Sequence, residues 1–416
     1  MKHFYVHIMS KRALPFLFLT SLLGLVDQSL AGNGVEPRLF LLDSRTLFET
    51  KERVYSGDKE LLPAIQKLRS EADQALDSGP FSVMDKPFTP PSGNKHDYMS
   101  LAPYWWPNPD TEDGLPYIRK DGLVNPERNR YDKIPLRELE LNVVTLALAY
   151  FYTEHEPYAA HAVNLIHCWF LDEETRMNPH LEYGQGIPGI TEGRGSGIID
   201  TRSFFRIAEV VDLLSGSRSW TEKNQKQLQE WFSKYLDWML NSEKGKKEAA
   251  SNKNHGTWFD VIASHLAFFV GEEDIAQEIL KAVPECRIAV QIEPDGRQPL
   301  ELKRTRSFHY SAMNIEGLFH LAIMGENVGL ELWNFETEDG RCFKTALTFL
   351  LPYVTEGRPW PYQQVRGWEA GDSEILHFIL RLAVKKYGEP EYEAMIKRLP
   401  DIDVNSSRLN LLYPLR

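Results

Sequence analysis

Residues 221–240, TEKNQKQLQEWFSKYLDWML, place Leu228, Trp231, Phe232, Tyr235, Leu236 and Met239 at steps of three and four, with charged and amide side chains between them. That period lays the apolar groups along one face of a helix. Outward from this stretch, similar spacing predicts helices over 138–152, 158–169, 201–214, 258–269, 274–282, 310–323, 342–353 and 373–387. Helices are also predicted within 36–80, where Leu47, Val54, Leu61, Ile65 and Leu68 recur at helical intervals. Two short pieces, 287–292 and 300–303, flank the turn Pro294-Asp295-Gly296 and read as a hairpin between helices. Many helices, few strands and no βαβ alternation make the fold class mainly α. No repeat of fixed period is visible, although stacked helical hairpins can repeat in structure without repeating in sequence.

One segment breaks the helical pattern. Residues 81–135 crowd prolines, glycines, asparagines and aromatics together, including SLAPYWWP at 100–107. A loop of that length within a compact domain is usually functional or disordered, and its density of Tyr and Trp predicts order. Tyr104, Trp105 and Trp106 could stack on the apolar faces of sugar rings or anchor the loop in the core, and both uses can hold in one segment.

The N-terminus reads as an export leader, residues 1–31. Lys2, Lys11 and Arg12 precede an apolar run from Ala13 to Val26, followed by Ser29 and Ala31. The run is shorter than the roughly 20 apolar residues that span a bilayer. Residues 32–416 then form a single domain outside the cytoplasm, periplasmic or secreted, with no membrane association. Cys168, Cys286 and Cys342 include no Cys-x-x-Cys pair and are too scattered for a disulfide framework, so they read as buried thiols. The net charge of −12 makes nucleic acid a poor partner. An acidic glycan stays open, because its binding depends on the local field of a cleft, which must then concentrate Arg and Lys.

Three segments could carry chemistry. In NKNHGTWFD, residues 252–260, Asn254 and His255 fall near a helix N-terminus, where backbone N–H groups favour an anion and the two side chains add donors. The same pattern is met by an Asn helix cap with an incidental His. In KRTRSFHYS, residues 303–311, Tyr310 stands in the first turn of a helix behind Arg304 and Arg306. A phenol is a poor base at its reference pKa near 10, and nearby positive charge lowers that value. A core tyrosine beside two surface arginines fits the segment as well. The glycine-rich run from Tyr183 to Arg202 contains Gln185 and Arg194; it lacks the strand and lysine of a phosphate loop, and reads as a wall that a sugar can approach closely or as a plain turn. No metal site is predicted: there is no His-Glu-x-x-His, and His155, His161 and His167 at intervals of six do not share a helical face. No G-x-S-x-G elbow is present.

Taken in order, SLAPYWWP, GQGIPG, GRGSGIIDT, NHGTWFD, QIEPDGRQPLEL and RTRSFHYS resemble the alginate-lyase-type polysaccharide lyases with an (α/α) toroid fold, over residues 97–352. The resemblance implies an incomplete barrel of helical hairpins with a cleft across one end, and lysis of a 1,4-linked uronate without water or cofactor. It places the family's Asn-His pair on Asn254 and His255, its arginine on Arg304, its catalytic tyrosine on Tyr310 and a cleft glutamine on Gln185. Tyr104, Trp105, Trp106, Arg194, Arg306 and Lys253 are the further candidates for substrate contact. Lys253 stands where relatives often carry a second Asn, and Gly184 and Gly186 flank Gln185 where alanines are common.

These residue types suit β-elimination. Removing the C5 proton of a uronate puts negative charge on its carboxylate, which Asn254 and His255, with Gln185, could hold by fixed hydrogen bonds. The expectation is that Arg304 keeps Tyr310 partly ionised, so that it takes the C5 proton and returns it to O4; His255 is the alternative base. A glycoside hydrolase would instead need two opposed carboxyl groups, for which Asp200, Asp260 and Glu301 are candidates. A non-catalytic glycan-binding protein needs only the aromatic loop and a basic cleft.

Overall fold

A computed structural model describes residues 37–415 of the chain; the leader lies outside them. Its helices are α1 (Ser44–Tyr55), α2 (Leu62–Ala75), α3 (Lys133–Thr153), α4 (Glu156–Ile166), α5 (Arg202–Val210), α6 (Glu222–Asn241), α7 (Glu243–Ala249), α8 (Asn254–Val270), α9 (Glu273–Val283), α10 (Ser307–Glu326), α11 (Phe343–Thr355), α12 (Ala370–Tyr387) and α13 (Pro390–Ile396), joined by short 3₁₀, π and single-turn pieces. Helices α3, α5, α8, α10 and α12 follow one another as an inner ring, each packed on the next. Outside it, α2 and α4 cover α3, α6 and α9 cover α8, α11 covers α10 and α13 covers α12. This is an (α/α) toroid.

The sequence explains which layer each helix joins. The first-quoted helix, α6, buries one stripe from Leu228 to Leu240 and is an outer helix. By contrast α8 buries every residue except His255 and Val270, and α10 every residue except His309, Ile323 and Glu326. Helices buried on nearly every side need neighbours all round, and the polar groups they carry there are paired, Asp260 with Arg287, His265 with Glu209 and Glu316 with Arg206. Between the last inner helix and the first, C-terminal residues bridge the ring: Tyr152 Oη donates to Leu411 O at 2.7 Å and Arg381 Nη1 to Tyr413 O at 2.7 Å.

The long aromatic segment is ordered. It carries β1 (Met99–Leu101), β2 (Trp105–Trp106) and β3 (Ile118–Arg119), and ends at α3, slightly earlier than its predicted limit. β2 and β3 pair antiparallel, Trp105 opposite Arg119, while β1 pairs in parallel with β4 (Tyr183–Gly186). The segment is pinned beneath by Asp132, which accepts from Met99 N at 2.8 Å and pairs with the buried Lys86 ammonium at 3.1 Å.

The predicted hairpin is not formed. Residues 284–291 continue as a π-turn and a helical turn, and Pro299–Leu302 is also helical. Ile288 and Ile292 are both fully buried and Val290 is exposed. A step of four satisfies both the helical and the strand period, so alternation misled here. The turn between the pieces is real, with Gly296 at φ +84°.

The glycine-rich run also serves packing more than openness. A Cβ on Gly197 would sit 2.6 Å from the Gly184 carbonyl carbon, so β4 and the 3₁₀ stretch Gly195–Thr201 touch backbone to backbone only because both are glycine. The three cysteines are free thiols; Cys286 and Cys342 are buried and Cys168 is half-buried.

Candidate active site

The N-terminal end of α10 is fastened before it presents Tyr310. Ser307 Oγ donates to Gln363 O at 2.7 Å and accepts from Trp360 Nε1 at 2.8 Å. One turn on, the buried Tyr310 brings its Oη to 2.5 Å from Tyr104 Oη, a residue of the aromatic segment 206 positions earlier. The Arg304 guanidinium lies over the Tyr310 ring at 4.1 Å from its centre. Arg304 is held in turn by Asp121, to which Nη2 and Nε donate at 3.1 and 3.3 Å. Burial alone would raise the Asp121 carboxyl, but Arg304, Arg119 and Thr305 pull it well below the usual carboxylate range.

The expectation that Arg304 leaves Tyr310 partly ionised is corrected by this geometry. Burial raises the Tyr310 pKa well above that of an ordinary phenol and Tyr104 adds to the rise, while Arg304 and then Arg306 act against it. Desolvation of the phenolate outweighs the stacked cation. Tyr310 therefore rests as a phenol. Arg306 is buried, and its Nη2 donates to Glu369 at 2.6 Å.

Asn254 and His255 open α8, with Lys253 at the N-cap position, as the sequence predicts. Each is backed by an acid. Asn254 N and Nδ2 face Glu301 Oε1 and Oε2 at 2.7 and 2.6 Å. His255 Nδ1 lies 2.5 Å from Glu248 Oε1. A carboxylate only accepts, so the proton between them belongs to Nδ1 and Nε2 is left for a ligand. The following Gly256 is required, because a Cβ there would meet Ser251 O at 2.1 Å. Lys253 itself is exposed.

Gln185 forms the third part. Its φ of +49° is uncommon for a residue with a side chain, and its N–H and both amide ends are held: N donates to Ser100 Oγ at 2.8 Å, Nε2 to Asp200 Oδ1 at 3.1 Å, and Oε1 accepts from Arg194 Nη2 at 2.7 Å. Arg194 feels the charges of Glu248, Asp200 and Arg304, and Glu301 those of Arg304 and His255. Tyr310, Arg304, Asn254, His255, Gln185 and Arg194 are thus brought into one neighbourhood from three separate segments. Trp105 and Trp106 stay half-exposed beside it on the strand that follows Tyr104, with Trp106 Nε1 donating to Leu123 O at 3.0 Å and Lys120 lying over its ring.

The carboxyls a hydrolase would need are all engaged. Asp200 accepts from Tyr98, Ser100 and Gln185; Asp260 takes Arg287 in a two-point pair at 2.7 and 3.1 Å; Glu301 serves Asn254. Among the described residues no group of His, Cys, Asp or Glu side chains is placed to hold a metal ion. Sequence reasoning missed Glu248 and Asp121. Glu248 lies in a Lys/Glu-rich run that looks like a solvated surface, and Asp121 in a loop among other acids. Nothing short of the fold distinguishes them.

Comparison with known proteins settles the family. The alginate lyase family matches residues 82–360. The chain belongs to the alginate lyase family. A crystal structure of an alginate lyase from Bacteroides ovatus is 39% identical, superposes with a TM-score of 0.87, and is covered along 100% of its length by 91% of this chain. Alginate lyase A1-III from Sphingomonas species A1 shares the fold at 15% identity, with a TM-score of 0.57 over 88% of this chain and 94% of that one. A variant of that enzyme has been crystallised with a tetrasaccharide. No curated protein matches the chain. As a member of the alginate lyase family the protein is a polysaccharide lyase, and the resemblance seen in its motifs and the toroid they implied are both upheld.

Proposed function

We propose that this lyase is exported and cleaves a 1,4-linked polyuronate, mannuronate-rich alginate or glucuronan, by β-elimination. The observation that carries the reading is the Tyr104–Tyr310 contact of 2.5 Å under the Arg304 guanidinium, beside an amide and an imidazole each backed by a buried acid. In this mechanism the phenol of Tyr310 first gives up its proton to solvent, at a cost set by burial. The phenolate is then held by Arg304 and by the Tyr104 O–H.

Tyr310 Oη takes the C5 proton of the uronate, and the electron pair becomes the C4–C5 double bond as the C4–O4 bond breaks. The same phenol then protonates O4. One residue serves both steps when proton and leaving oxygen share a face; His255 Nε2 is the base when they do not. Charge that builds on the uronate carboxylate is met by Asn254 and His255, with Gln185 and Arg194 adjoining. Tyr104, Trp105 and Trp106 line the sugar's path, and Lys253 adds an exposed cation.

The test is incubation of the purified protein with a panel of polyuronates, read by the near-ultraviolet absorbance of unsaturated uronate. Tyr310→Phe abolishes that signal while the fold and most of the substrate binding persist. Near-wild-type product from this variant would refute the assignment, and shortened polymer without the chromophore would establish hydrolysis instead.

A further inference from the structure

Asn254 is fully buried, and with Nδ2 placed against Glu301 its Oδ1 finds no donor among the described residues. The amide's oxygen and nitrogen have nearly the same shape, so a half-turn about Cβ–Cγ exchanges them. After that turn Oδ1 faces Glu301 Oε2 across the same 2.6 Å contact. The contact then holds a hydrogen bond only if Glu301 carries the proton. Glu301 is itself 2% exposed, and its other oxygen, Oε1, is already taken by Asn254 N at 2.7 Å.

We propose that Glu301 works as a neutral carboxylic acid that donates to Asn254 Oδ1, so that the amide nitrogen takes the unpartnered position Oδ1 fills now and keeps both N–H groups for the substrate carboxylate. Glu301 is then a positioning residue acting through Asn254. The inference rests on the lyase reading, since it is a carboxylate that needs two donors; the alternative orientation presents it with an unpaired oxygen, which repels an anion. The environment agrees. Burial raises the Glu301 pKa, against the Asn254 N–H groups, Arg304 and His255, which are the charged and titratable groups acting on it. Of these, Arg304 is already paired with Asp121 and His255 with Glu248, which limits how far either stabilises a carboxylate at Glu301.

Glu301→Gln separates the two states. The Asn254 backbone N–H requires an oxygen at one end of residue 301, so the Gln Nε2 must face the Asn254 side chain and donate to it, as the neutral acid does. The expected result is that E301Q keeps kcat/KM within about threefold of wild type. E301Q also loses any alkaline fall in rate that comes from Glu301, whereas Glu301→Ala drops by about a hundredfold or more. Circular dichroism and thermal melting confirm that both variants are folded. A folded E301Q as defective as E301A overturns the proposal.

An infrared difference spectrum, wild type minus E301Q at neutral pH, supplies a readout independent of turnover: the C=O stretch of a neutral carboxylic acid is expected, and a carboxylate pair in its place also overturns the proposal. Were wild type to release no unsaturated uronate from any polyuronate, the lyase reading would fail on its own while the spectrum still decided the protonation of Glu301.

Discussion

Replacing Arg304 with Gln removes the cation stacked on the proposed base. The guanidinium carbon lies 4.1 Å from the ring centre of Tyr310. At an effective dielectric constant of about 20, two unit charges at that separation attract by about 4 kcal/mol. Asp121, bonded to the same guanidinium at 3.1 Å, offsets part of this, and the phenolate charge sits on the oxygen beyond the ring centre. A loss of about 2–3 kcal/mol remains, equal to roughly 1.5–2 pH units on the Tyr310 ionisation.

Because burial already holds that phenol above its ordinary pKa, the ionised fraction in the neutral range is small and grows tenfold per pH unit. In wild type, log kcat/KM for release of unsaturated uronate should therefore rise with pH. In R304Q the rising limb should move by roughly 1.5–2 units to higher pH, so that the rate at any fixed neutral pH falls by about 30- to 100-fold. The assay is the initial rate of near-ultraviolet absorbance across a pH series. A rising limb that stays in place, with kcat/KM within threefold of wild type, would show that Arg304 does not act on the ionisation of Tyr310.

Two further outcomes follow from buried pairs. Glu248→Gln keeps an acceptor for His255 Nδ1 but removes the anion behind the imidazole; kcat/KM should fall by about 10-fold or more, and Glu248→Ala should fall further because the ring is no longer oriented. Equal activity in the alanine variant would remove Glu248 from the site. Lys86→Met leaves Asp132 buried with no cation and should cost about 3–5 kcal/mol in chemical denaturation. Burial, opposed by Lys86, has pushed Asp132 up to about 7, so its contribution to stability is present at acid pH and lost as pH rises through that value. Removing Lys86 pushes it higher still, and the deficit should be larger at pH 8 than at pH 5. A deficit that does not change with pH would contradict this account.

Several features of the protein are determined by its sequence alone. The stripe from Leu228 to Met239 dictates a helix with one buried face, and the mostly apolar run after His255 a more deeply buried one, because burial follows from which faces are apolar. The presence of α8 and α10 was legible, and with it the placement of Asn254, His255 and Tyr310 near helix starts, although both helices begin three or four residues earlier than their apolar spacing predicts. The order of the motifs pointed to the family. What only the tertiary structure decided is which groups meet across the ring. Tyr104 reaches Tyr310 from 206 residues away, Asp121 holds Arg304, and Glu248 and Glu301 stand behind His255 and Asn254. The protonation of Tyr310 belongs to the same class. Adjacent arginines can be read along a chain, but the desolvation that outweighs them depends on how much protein closes over the phenol, and that is set by contacts between distant segments.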